Sequence, residues 1–191
     1  MSSMYVQTAR DLGQLIDEAA KVHYLVGNGI QQERLCPMEY MVWKEAGRMK
    51  SVNDWREVMA EKMKENTEKN LDEIERKLLE RKLLHSLDFE SVEDDALKKI
   101  FVIRNAFAYG ESGDVWMVGP HDGGGRTKLS EEDYEVWVAA SSYRSLLEIM
   151  AEIGRRHDYT KTESLKTITE KARFFVRNSL WTIEYIHREE M

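Results

Sequence analysis

Residues 91–110 read Ser-Val-Glu-Asp-Asp-Ala-Leu-Lys-Lys-Ile-Phe-Val-Ile-Arg-Asn-Ala-Phe-Ala-Tyr-Gly, and this stretch decides the predicted fold. Ser91 and Asp94 have the spacing of a capping box, which marks the start of a helix. Apolar residues then recur at helical spacing as far as Phe107, and Gly110 ends the pattern. The stretch therefore predicts an amphipathic helix that carries Arg104 among apolar neighbours.

Most of the remaining chain shows the same helical periodicity. We predict helices over residues 8–26, 38–47, from 53 or 54 to about 87, from a cap at Ser130 to about 154, and from 161 to 188. Residues 113–129 differ, because two short apolar runs flank a glycine-rich segment, and they predict a β-hairpin or an ordered loop. We see no internal repeat. The pattern predicts an all-α fold, a single domain over residues 1–191 built as a bundle of about five helices.

Composition limits the classes of protein that remain. The chain has 191 residues, 42% apolar and 33% charged, with two prolines and one cysteine. A lone Cys36 fits a reducing compartment, and neither a secretory signal nor an apolar run of membrane-spanning length is visible, so we expect a cytoplasmic protein. The net charge of −7 argues against a protein that coats duplex DNA, but it leaves room for a local basic surface. The sequence predicts no metal site and no cofactor.

The segment Ile103-Arg-Asn-Ala-Phe-Ala-Tyr109 holds the residues that point to a function. A buried arginine is costly without a partner. One interpretation is structural: Arg104 pairs with a carboxylate and Asn105 caps a neighbouring helix. The chain would then be a non-catalytic interaction module that binds a partner protein or a nucleotide.

The same segment resembles the R-N-x-F-A-H type motif of the HEPN superfamily, with Tyr109 in place of the histidine. The resemblance implies a helical homodimer and a metal-independent endoribonuclease of toxin or defence type, with an antitoxin or nucleotidyltransferase as a possible partner. Arg104 would bind the scissile phosphate, Asn105 would orient groups in the cleft, and Tyr109 would stand at the proton-transfer position. A phenol titrates near ~10 and is a poor base at neutral pH, so the resemblance implies a disabled or altered catalytic position.

Arg104 and Tyr109 are also the predicted RNA-binding residues, because an arginine binds phosphate and a tyrosine ring stacks on bases. His121, on the predicted loop at 113–129, is a third RNA-binding candidate.

Overall fold

The structure is a computed structural model. It describes residues 3–28, 31–49, 51–63, 67–88, 91, 93–120, 125–141 and 143–186. The chain divides into two compact units. The first comprises residues 1–91 with 184–187, and the second comprises residues 92–183 with 188–191. That the whole chain forms one domain stays a prediction.

The first unit contains five strands and three helices among its described residues. Its first and last strands pair antiparallel, and its three middle strands form a separate meander. The elements are β1 Ser3–Gln7, β2 Arg10–Ile16, β3 Val22–Asn28, β4 Gln31–Leu35, α1 Pro37–Ala46, α2 Val52–Met63, α3 Thr67–Glu80 and β5 Leu84–Asp88.

The second unit opens with a short helix and then has strands and helices in a closely similar order. A three-stranded sheet has the order β10-β6-β11, and a meander has the order β7-β8-β9. The elements are α4 Asp94–Lys99, β6 Ile100–Arg104, β7 Phe107–Ser112, β8 Val115–Gly119, β9 Thr127–Leu129, α5 Glu131–Ala139, β10 Arg144–Ser145, α6 Leu146–His157, α7 Lys161–Arg177 and β11 Trp181–Tyr185.

The predicted all-α fold, a bundle of about five helices, is wrong. The described residues are 46% helical and 33% strand, with their strands in four antiparallel sheets. The predicted helix over 91–109 ends at Lys99, because Ile100-Phe-Val-Ile103 is a run of β-branched and aromatic residues that favours a strand. The predicted helix over 8–26 is the hairpin of β2 and β3.

The two units are built on one plan, which corrects the expectation of no internal repeat. Leaving aside α4 and the short β10 of the second unit, each has a strand, a three-stranded meander, three helices and a closing strand that pairs with the first. The registers of the two meanders match. Tyr24 pairs with Leu35 as Trp116 pairs with Leu129, and Val26 pairs with Glu33 as Val118 pairs with Thr127.

A β-bulge lies at the same place in both meanders. In the first unit the register shifts between Asp11 and Gly13, and in the second it shifts between Ala108 and Gly110. Both glycines have left-handed φ angles, +99° and +103°, which a residue with a side chain rarely adopts. The side chain between each pair, Leu12 or Tyr109, therefore occupies the bulge.

The helix that follows each meander starts in the same way. The side chain of Cys36 accepts a hydrogen bond from the third residue of α1, and Ser130 does the same for α5. A tyrosine on each helix then stacks on the middle strand with ring centroids 3.9 Å apart: Tyr40 on Tyr24, and Tyr134 on Trp116.

The last turn of each unit also repeats. Lys82 and Ser179 have φ angles of 56° and 57°, and each is followed by a buried leucine. The carbonyl of that leucine accepts a backbone hydrogen bond from the second residue before the meander: Thr8 to Leu83 at 3.0 Å, and Asn105 to Leu180 at 2.9 Å. Matching registers, bulges, caps and closing turns identify the second unit as a repeat of the first.

Candidate functional site

Arg104 ends β6 and is exposed. Its guanidinium carbon lies 4.5 Å from the centroid of the Trp137 ring, a cation–π arrangement within the second unit. Among the described residues, Arg104 has no carboxylate within 4.0 Å. The predicted structural ion pair is therefore replaced by an aromatic contact, and the outer side of the guanidinium is open to solvent.

Asn105 closes the β6–β11 corner rather than capping a helix. Its side-chain amide donates to the hydroxyl of Thr182 at 2.6 Å, and its backbone N–H donates to the carbonyl of Leu180 at 2.9 Å. The equivalent Thr8 makes the same backbone bond in the first unit. Asn105 thus occupies a position that the fold uses to join two strands.

Tyr109 lies at the β7 bulge, and its side chain is 39% exposed. The phenol donates a hydrogen bond to the carbonyl of Pro120 at 2.5 Å, and the guanidinium carbon of Arg126 is 4.2 Å from the ring centroid. These contacts hold the ring on the sheet. The third RNA-binding candidate, His121, lies outside the described residues.

The three predicted catalytic side chains have separate partners. Arg104 contacts Trp137, Asn105 contacts Thr182, and Tyr109 contacts Pro120 and Arg126. The motif also spans two strands, where the HEPN resemblance implied one helix. The structure thus provides no hydrogen bond between a base and a nucleophile or phosphate-binding group in this segment.

The meander of the second unit has one face against α5. Trp116 stacks on Tyr134 and donates from Nε1 to Glu131 at 3.0 Å, and Val118 and Leu129 are fully buried. Because side chains alternate along a strand, the residues between these positions point to the opposite face. We call that opposite face the outer face of the second meander.

This outer face combines aromatic rings and cations. Phe107 lies opposite Gly119 and is 53% exposed, and Tyr109 follows at the bulge. Lys128 lies opposite Met117 in the strand pairing. Arg126 precedes β9 and lies beside Gly119: a Cβ added to Gly119 would be 3.5 Å from the Cγ of Arg126. Both cationic residues are exposed.

Among the residues that the structure describes, no nearby carboxylate neutralises the two cations. Neither Arg126 nor Lys128 has an acidic side chain within 4.0 Å among the described residues. Glu111 lies opposite Trp116 and so belongs to the α5 side, and Asp114 lies in the turn at the far end of the hairpin. The outer face is therefore locally basic although the chain carries a net charge of −7.

The sequence had indicated Tyr109 but missed Phe107, Arg126 and Lys128 as site residues. A usable signal lay in the predicted hairpin, because period-two alternation around Leu129 separates Lys128 from the buried positions. The side of the sheet on which Phe107 and Tyr109 lie could not be predicted from the alternation, because of the bulge. The bulge shifts the alternation of β7 by one residue, so only the structure places Phe107 and Tyr109 on the same side as the cations.

This unit also has a groove, which is a weaker candidate for a ligand-binding site. A groove of about 400 Å³ lies along α6 and the start of α7, with an apolar floor of Leu147, Met150 and Ala151. At its rim Lys161 and Asp94 form an ion pair at 2.5 Å. That pair is neutral, and Arg155 is the one further charged residue among the described residues that line the groove, so the groove offers less to a charged ligand than the two cations of the outer face do.

Metal ligation, membrane spanning and similarity to known proteins do not narrow the function further. Within the described part of the chain, no group of three or more His, Cys, Asp or Glu side chains is placed to hold a metal ion. Nor does any helix in those residues have the length and apolar character needed to cross a membrane. Comparisons with known protein families, curated proteins and solved structures found no match.

Proposed function

We propose that the chain binds single-stranded RNA through the outer face of the second meander. One observation carries the proposal: two exposed aromatic rings, Phe107 and Tyr109, share a sheet face with two cations, Arg126 and Lys128, that no described carboxylate neutralises.

Phe107 offers a second exposed ring for a base, and the other three groups have distinct roles. Unstacked bases lie flat on aromatic rings, and the plane of a guanidinium offers a similar surface, so Tyr109 with Arg126 above it forms one continuous stack. Lys128 would contact the phosphate backbone, where an ammonium acts as a point charge. In a duplex the faces of the bases are already stacked, so this surface favours single strands.

RNA cleavage is not part of the proposal. Arg104, Asn105 and Tyr109 contact separate partners, and the phenol is engaged with a backbone carbonyl. The proposal is therefore closest to the non-catalytic binding module that the sequence also allowed, with RNA as the ligand. Homodimer formation and an antitoxin or nucleotidyltransferase partner stay predictions from the HEPN resemblance.

We also propose a cytoplasmic location. Cys36 is a free thiol whose sulfur accepts a hydrogen bond from the backbone N–H of Glu39 at the start of α1. A reducing compartment keeps that thiol available as a cap.

The test is the salt dependence of RNA binding by the full chain. Fluorescence anisotropy with a labelled single strand of about twelve nucleotides, repeated over a range of salt, gives the slope of log affinity against log salt. Each phosphate contact in a single strand contributes about 0.7 to that slope, so Arg126→Ala with Lys128→Ala should lower it by about 0.7 through the loss of Lys128, and by up to about 1.4 if the Arg126 guanidinium also neutralises a phosphate. Arg34→Ala removes the cation at the position equivalent to Lys128 in the first unit, and it should leave the slope unchanged.

Three results would count against the proposal. A slope that the double variant does not change would remove the outer face from the binding site. Duplex RNA that binds as tightly as the single strand would show that base stacking is not the means of recognition. Cleavage of the RNA in EDTA by the unmodified chain would favour the ribonuclease that the resemblance implied. A single strand of DNA in parallel measures whether the 2′-hydroxyl contributes.

A further inference from the structure

The first unit has a counterpart of the outer face. Its meander, β2-β3-β4, has the same register and the same bulge, so each position on one face corresponds to a position on the other. The correspondences are Leu12 for Tyr109, Arg10 for Phe107, Gln32 for Arg126 and Arg34 for Lys128.

The side chains on this counterpart face are chemically different. At the bulge, Leu12 lies over Gly27, where a Cβ would be 3.0 Å from the leucine Cδ1. Arg10 is paired at 2.6 Å with Glu184, whose side chain is only 2% exposed. Of the two exposed cations on the second unit's face, only the lysine has a charged equivalent, Arg34.

These differences remove the means of stacking but keep the backbone that supports it. A leucine has no flat π surface, and Gln32 carries no charge. Both glycines that lie beneath the outer side chains, Gly27 and Gly119, are present, and so are both bulge glycines, Gly13 and Gly110. The first unit therefore has room for an aromatic ring at the bulge, as the second unit does.

We infer that two positions determine which of the two repeated units binds a nucleic acid. One is the bulge residue, Leu12 or Tyr109. The other is the third residue before the inward-facing leucine that ends the meander, Gln32 or Arg126. In the chain as it stands, only the second unit binds, and each chain takes up one single-stranded segment. This inference rests on the proposed function, and it adds the two specificity-determining positions and the stoichiometry.

The experiment transfers the two side chains to the first unit. Full-length chain carrying Leu12→Tyr and Gln32→Arg is titrated with a short single-stranded RNA at protein concentrations well above the dissociation constant. The unmodified chain should saturate at one strand per chain, and the transfer variant should saturate at two. Leu12→Ala with Gln32→Ala is the matched control, and it should still saturate at one.

A second arm places the transfer in a chain whose own site is removed. Tyr109→Ala with Arg126→Ala should bind weakly, and adding Leu12→Tyr with Gln32→Arg should restore binding at one strand per chain. Circular dichroism checks that each variant keeps its secondary structure. If Leu12→Tyr with Gln32→Arg loses it, the RNA titration is repeated with the single variant Leu12→Tyr.

The outcomes separate this inference from the proposed function. An unmodified chain that takes up two strands, or a folded transfer variant that still takes up one, overturns the inference and leaves the proposed function intact. An unmodified chain that binds no single strand overturns the proposed function, and the inference with it.

Discussion

Replacing Tyr109 with alanine should weaken binding of single-stranded RNA by about 5- to 150-fold. Loss of one base–aromatic stack is worth about 1–3 kcal/mol, and 1.4 kcal/mol is a factor of ten in the dissociation constant. Tyr109 is 39% exposed and supports the guanidinium of Arg126, 4.2 Å from its ring centroid, so the alanine variant removes the base of the proposed stack. Fluorescence anisotropy at one fixed salt concentration measures the change.

Two further variants separate stacking from general damage to the sheet. Tyr109→Phe keeps the ring and loses the hydrogen bond to the carbonyl of Pro120, so its affinity should stay within a few-fold of the unmodified chain. Leu12→Ala truncates the equivalent bulge residue of the first unit and should not change the affinity. Equal losses for Tyr109→Ala and Leu12→Ala, or no loss for either, would refute the assignment of Tyr109 to the binding face.

Three other predictions follow from the contacts within each unit. Trp43→Phe should lower the free energy of unfolding by about 1 kcal/mol more than Trp137→Phe, measured by urea denaturation, because only the Trp43 indole donates to a backbone carbonyl, at 3.0 Å. A hydrogen bond from Arg144 lowers the pKa of Glu152, so the pair stabilises the fold above the ordinary Glu pKa and loses that contribution as the pH falls. The destabilisation caused by Arg144→Met should therefore shrink when unfolding is measured in increasingly acidic buffer. Tyr109→His should produce no RNA cleavage in EDTA on a gel, because the described partners of Tyr109, the Pro120 carbonyl and the Arg126 guanidinium, include no general acid or base, and the appearance of cleavage would reinstate the HEPN interpretation.

Two helix starts were predictable because they depend on local chemistry, whereas the predicted capping box of Ser91 and Asp94 is wrong: α4 begins at Asp94 behind Glu93, which makes no side-chain cap. The cap at Ser130 is confirmed, since its side chain accepts from the backbone of Asp133, and the helix predicted to start at 161 begins at Lys161 behind a Thr160 cap. The predicted hairpin at 113–129 is confirmed in its described part as the β8–β9 pair.

Helix ends were not predictable in the same way. The apolar stripe of the last helix continues through Leu180 and Ile183, so the pattern extended the helix to 188, whereas α7 ends at Arg177. A left-handed turn at Ser179 redirects the chain into β11, and no glycine marks it. The same turn at Lys82 ends the predicted long helix before β5. Non-glycine residues in this conformation carry little signal in a single sequence.

The repeat was visible in the sequence only at one place. Residues 35–46 and 129–140 share Leu, Tyr, Val, Trp and Ala at identical spacing, and these residues are the strand end and the inward side of the helix that follows. Elsewhere the two units keep hydrophobic character without identity, as at the middle strands, where Tyr-Leu-Val-Gly27 corresponds to Trp-Met-Val-Gly119. Packing needs apolar residues of suitable volume, so repeated cores diverge in sequence while the backbone stays the same.

Comparison of the two units shows which residues of the motif at 104–109 the fold requires. The motif's six positions correspond to Gln7-Thr-Ala-Arg-Asp-Leu12 in the first unit, and only the alanine, buried in both, is shared. The fold therefore requires little at this corner beyond a small residue and one backbone hydrogen bond. Because the backbone does not dictate the other side chains, folding requirements alone do not account for the exposed Phe107 and Tyr109. The segment that resembled a catalytic motif is thus a segment in which the second unit departs from the first, and it supplies the two rings of the outer face.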